Sequence, residues 1–302
     1  MYWLLTLGAT LLAGAAGLQV WLARRRRGQS EAVLAESAVA CCELLLRLIG
    51  HLQQHRGMSS AWLGGDAGFG ARLAAKRTEI QALLPPLRTA VVTENERPLP
   101  CLTVNEFDLL RFKWRGLIDN LAGLSVEQSI AEHSQMIATL LDWLGALGEA
   151  RVGLAPAGRL PLGLVRNYAH RLPLLAECLG QARAIGSGVA ARGRCSAVAR
   201  VRLMFLISRA ESLLSQACSV EQDSRRGSAA QGNVQALATL TRARMLTAED
   251  VDVTAEDYFS QATVAIDAVF AWIEECGQTL KLTINGIGAD HGAASVLVGR
   301  AS

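Results

Sequence analysis

The run Leu52-Gln53-Gln54-His55-Arg56-Gly57-Met58-Ser59 decides how the rest of this 302-residue chain is read. It closes an apolar stripe of helical period, Leu34, Ala38, Cys42, Leu45, Leu48 and Leu52, so the segment from Glu31 to about Leu63 is expected to be one long helix. The same pattern returns downstream. Leu48, Leu52, Gln54, Arg56 and Ser60 are matched by Leu175, Leu179, Gln181, Arg183 and Ser187, giving a shared L-x3-L-x-Q-x-R-x3-S. Leucines at a spacing of four are core. The glutamine, arginine and serine added to them are not explained by packing.

Arg56 and Arg183 have small or apolar neighbours, and neither has an acidic residue three or four positions away. A guanidinium inside a helical bundle needs a counter-charge or water. If both project into one interface they repel unless an anion lies between them. A planar anion takes two N–H donors from each fork. Gly57, Gly186 and Gly188 allow close approach, and Ser59, Ser60 and Ser187 supply neutral donors. The plainer alternative is that both arginines snorkel to the surface.

Outward from these motifs the chain reads as all-helical. Aromatics are only 5%, and no alternating β-branched run appears. Helices are expected over Ala71 to about Val92, interrupted at Pro85-Pro86, and from the Thr103/Glu106 capping box to about Leu121. Further helices are expected from Ser125 to Leu147, Leu162 to Ala191 despite Pro173, Cys195 to about Asp223, Val234 to Leu246 and Ala255 to Leu282. Glu94–Thr103 reads as a loop and Ser224–Gly232 as a polar break. The Gly/Pro-rich stretch Gly153–Pro161 joins two halves, about 31–152 and 162–282, each expected to form a four-helix up-and-down bundle stacked on the other. Residues 283–302 are expected to be a flexible tail.

Residues 1–23 carry no charge and are long enough to cross a hydrocarbon core, with Trp3 and Trp21 near the ends. Arg24, Arg25, Arg26 and Arg27 follow in a basic linker over 24–30, with no positive flank before the apolar run and no small-residue cleavage site. This reads as an uncleaved single-pass anchor in the cytoplasmic (inner) membrane, with the C-terminal domain in the cytoplasm by the positive-inside rule. The seven cysteines agree, because the number is odd and no CxxC pair occurs. His51 and His55 have metal-pair spacing but no third ligand near in sequence, so no metal and no cofactor is expected.

The run 52–59 resembles the LQ-x-ERG-x-S signature of the nitrate- and nitrite-sensing (NIT) domain family. Leu179-Gly180-Gln181-Ala182-Arg183-Ala184-Ile185-Gly186 is similar to that family's GQ-x-RA motif. Asp257-Tyr258-Phe259, with Thr263 and Ala265-Ile266-Asp267, resembles its last helix. The resemblance covers about Cys42 to Glu275. It implies two four-helix bundles with nitrate or nitrite held by interface arginines, here Arg56 and Arg183. It also implies a further arginine on the penultimate helix, either Arg242 or Arg244. His55 stands where the family usually has glutamate, and only one arginine stands in the first motif.

No phosphate-binding loop, nucleophile elbow, zinc-protease motif or plausible carboxylate pair is present, so no enzyme is expected. The net charge of +3 gives no reason to expect a nucleic-acid partner. The family usually joins its sensor to an output module. With none after residue 282, signalling is expected to go through an unidentified partner or through a homodimer. The rival reading is a membrane-tethered helical adaptor that has lost anion binding. A helical sensor for a small carboxylate is a third.

Overall fold

The computed structural model describes residues 32–153, 160–246 and 250–286 in full, and every described element is helical. The helices are α1 (Tyr2–Leu63), α2 (Phe69–Asn95), α3 (Val104–Asn120), α4 (Val126–Leu147), the short α5 (Leu162–Arg166), α6 (Leu172–Arg192), α7 (Ala197–Cys218), α8 (Arg225–Thr241) and α9 (Ala255–Val298). The anchor expected over 1–23 lies outside the described residues. Among those described, no helix is long and apolar enough to cross a membrane.

Local chemistry sets the helix ends. Thr103 and Glu106 form the expected capping box, and Ser125 forms a second one with Gln128. Ser196 and Ser224 each cap a helix with the side-chain oxygen. The chain leaves α6 through Gly193 at φ 65°, in the left-handed region that favours glycine.

Three expectations are corrected. Helix α2 passes through Pro85-Pro86 unbroken. Both prolines are exposed, so water can reach the carbonyls they leave unpaired, while Leu83 and Leu87 hold the helix to the core. The stretch Ser224–Gly232 is not a break but the cap and first turns of α8. Its small residues are needed there, because a Cβ at Gly227 would stand 3.0 Å from the buried Trp272 ring. Helix α9 continues beyond Leu282, with Ile284 buried, where a loose tail was expected; residues 287–302 lie outside the described residues. Pro173 is tolerated because the turn before it, Asn167–Arg171, is a wider π turn.

Helix α1 packs against α2 and α4, and α3 lies against both of those. Helix α6 packs against α7 and α9, while α8 lies against α7 and α9. The two groups meet where α1 runs beside α9 and α6. Their apolar faces form a single buried cluster, anchored by Leu45, Leu48, Ile49, Leu175, Leu179 and Trp272. Among the charged and polar groups that interrupt this cluster, Gln53, Arg56, Glu177 and Arg183 lie on α1 and α6.

Candidate anion-binding site

Arg56 is 1% exposed, halfway along the seam. Its guanidinium donates to Glu177 of α6 as a two-pronged fork, Nη1 to Oε1 at 2.6 Å and Nη2 to Oε2 at 3.1 Å. Nη1 also donates to Ser134 Oγ of α4 at 2.8 Å. Glu177 takes two more hydrogen bonds, from Gln53 Nε2 at 2.9 Å and Gln181 Nε2 at 2.8 Å. Four donors on one carboxylate, with every residue at least partly buried, make a strong charge-assisted cluster. The fork reaches the surface of α6 because residue 180 is glycine: a Cβ there would stand 2.9 Å from Arg56 Nη2.

Arg183 enters the same region from α6. It is 9% exposed and donates from Nη1 to Thr263 Oγ1 of α9 at 2.9 Å. Its guanidinium lies 4.8 Å over the Phe259 ring. No carboxylate lies within ion-pair distance of it among the described residues. Burial lowers its affinity for a proton, and the charge of Arg56 lowers it further, while Asp267 and Glu177 oppose this. Arg183 Nη2 comes within 3.9 Å of where a Cβ on Gly57 would sit. The two guanidinium groups therefore converge across α1 and α6, and Arg183 carries a buried charge without an ion pair.

Of the three serines expected to help, only Ser187 is free to do so. Its Oγ is buried without a hydrogen-bond partner, one turn along α6 from Arg183. Ser59 Oγ lies 3.2 Å from His55 Nδ1, and Ser60 Oγ donates to the Arg56 carbonyl at 2.9 Å. Arg242 and Arg244 are half-exposed and ion-paired elsewhere, Arg242 with Glu211 at 2.5 Å and Arg244 with Asp252. Ser134, Glu177 and Gln53 were not anticipated. Ser134 and Glu177 meet Arg56 across helix–helix contacts, and Gln53 meets Glu177 across another, which no spacing rule along one helix can detect. Phe259 and Thr263 stand in the third motif, but neither carries a charge to follow. Gln54, the counterpart of Gln181 in the repeat, is exposed, so the repeated glutamine does not have a repeated role.

His55 points away from the arginines into the core of the first group. Its ring lies edge-on to Trp114 at 5.0 Å. His133 Nδ1 donates to the Ser129 carbonyl at 2.7 Å, which leaves His133 Nε2 to accept from His55 Nδ1, also at 2.7 Å. His55 Nε2 is then a buried lone pair with no partner. Burial, helped by His133, pushes His55 down to about 3, and burial with the charge of Arg56 pushes His133 down to about 4. In the unfolded chain both protonate near pH 6.5. Their contribution is full above that value and is lost as pH falls through it, by about 2 kcal/mol per histidine at pH 5. Urea unfolding at pH 8, 7, 6 and 5 is expected to show this slope, and His133→Gln should reduce it.

The fold is that of an all-helical domain. The chain superposes on the structure of the NasR transcription antiterminator with a TM-score of 0.68 at 18% identity, over 89% of this chain and 75% of that one. At that identity the likeness is one of fold. The family model described as nitrate and nitrite sensing matches residues 47–280, and the chain belongs to that family. No curated protein matches it in sequence. The family points to a sensor or regulator rather than an enzyme.

Proposed function

We propose that this protein senses nitrate or nitrite, binding the anion between Arg56 and Arg183 at the seam between two four-helix bundles. The carrying observation is Arg183: a buried guanidinium without an ion pair among the described residues, beside a second guanidinium and one turn from a Ser187 hydroxyl that has no partner among them. Glu177 compensates Arg56, and Arg183 has only the more distant Asp267 set against it, so a monovalent planar anion supplies the direct counter-charge that Arg183 lacks. The anion would contact helices of both groups, so its binding energy differs between two ways of packing them. In this reading the signal passes through an anchor at residues 1–23 and a separate partner or a second copy.

One observation favours the adaptor reading: Arg56 is already satisfied by Glu177, so half of the site is neutral without ligand. Isothermal titration of the detergent-solubilised full chain with nitrate, nitrite, formate and chloride separates the readings. A sensor binds nitrate or nitrite and not chloride. A carboxylate sensor binds formate best. An adaptor binds none of the four.

A further inference from the structure

We propose that Glu177 is a built-in occupant of the anion cradle, which an incoming planar anion displaces from Arg56. This rests on the sensing reading above. Glu177 Oε1 accepts from Arg56 Nη1 and Gln181 Nε2, and Oε2 accepts from Arg56 Nη2 and Gln53 Nε2, at 2.6 to 3.1 Å. The cradle is thus matched to a flat group with two oxygens about one carboxylate apart. Nitrite and one edge of nitrate have the same shape, whereas chloride does not.

The end-on fork of Arg56 is taken. Its Nη1 is divided between Glu177 and Ser134, and its Nη2 lies against α6 at Gly180. An external anion gains this end-on two-point hold on Arg56 by taking the place of the Glu177 carboxylate. Arg183, on the same helix as Glu177 and without an ion pair, is the group that attracts the incomer. Glu177 thereby sets both affinity and selectivity. It lowers the apparent affinity of every external anion by the fraction of time it holds the cradle, and it admits only anions that satisfy the same donors. Exchange of one carboxylate for one anion also frees α6 from α1 at this point, which ties occupancy to the seam.

Titration of the full chain and of its Glu177→Gln form with sodium nitrite tests this. Glutamine keeps the shape of the side chain and removes the competing charge. The expected result is binding at least about tenfold tighter in the variant. A second variant guards against misfolding. Glu177→Ala leaves the cradle empty, and acetate, the missing carboxylate supplied in solution, is expected to raise its melting temperature by more than it raises that of the wild-type chain, where Glu177 competes. Wild-type binding that is unchanged or weakened in Glu177→Gln, with no acetate rescue of Glu177→Ala, would make Glu177 a scaffold and overturn the inference alone. Absence of nitrite binding in both folded proteins would overturn the sensing reading and the inference together.

Discussion

Arg56→Met is expected to destabilise the ligand-free protein by about 3–5 kcal/mol, whereas Arg183→Met is expected to leave it unchanged or make it more stable. The two arginines look equivalent in sequence and lie in one seam, but their electrostatic situations are opposite. Removing Arg56 strands the buried Glu177 carboxylate with only two neutral amide donors, from Gln53 and Gln181. Removing Arg183 takes away a buried charge whose direct partners are one hydroxyl and one aromatic face. Methionine fills similar space with apolar atoms and relieves the desolvation cost. Both variants are expected to lose anion binding. Denaturant melts of the two in chloride buffer check the contrast, and equal losses of stability would mean that Arg183 has a structural counter-charge after all.

Gly186→Ala is the second large effect, expected to cost about 3 kcal/mol or more and to abolish anion binding with it. A Cβ at this position would stand 2.1 Å from Tyr258 Cε1, deep inside contact distance. Tyr258 is fully buried and its hydroxyl is held by Thr241 at 3.3 Å and by the Ala182 carbonyl at 3.4 Å, so the ring has nowhere to swing. Helix α6 must then move away from α9. Arg183 sits one turn back on α6, and its contacts, Thr263 and Phe259, are both on α9. The same methyl group therefore strains the core and pulls the site apart. Gly188→Ala is the control, because a Cβ there would meet only the flexible end of Arg192, at 3.5 Å. It should be close to neutral in both stability and binding.

Much of this was legible in the sequence, for reasons that can be named. The leucine stripes at helical period specified α1 and α6, and the serine and threonine caps specified where α3 and α4 begin. The repeated arginine brought Arg56 and Arg183 to one seam, because both lie at the same register on helices that face each other. What could not be read was the company they keep. Glu177 lies six residues before Arg183 and 121 after Arg56, so only the packing of α1 on α6 reveals the pair. The substitution of histidine for glutamate at residue 55 suggested a lost carboxylate beside the site. The structure instead puts His55 in the first core against His133 and Trp114, and the carboxylate on Arg56 comes from α6. Arg242 and Arg244 were expected through the family resemblance alone, and both find surface carboxylates instead. The anchor at residues 1–23 remains a reading of sequence.

The central claim is that a planar anion binds between Arg56 and Arg183, and thermal unfolding of the full chain in detergent tests it most directly. Samples in nitrate, nitrite and chloride at equal ionic strength are compared with the Arg183→Met form. At about one hundred times its dissociation constant the anion should add about 2.7 kcal/mol, which for a domain of this size is a rise of roughly 5 to 10 °C. A rise in nitrate or nitrite alone, absent in Arg183→Met, is the expected result. Identical melting in all three salts by a well-folded wild-type protein would contradict anion binding and leave the helical adaptor as the better description.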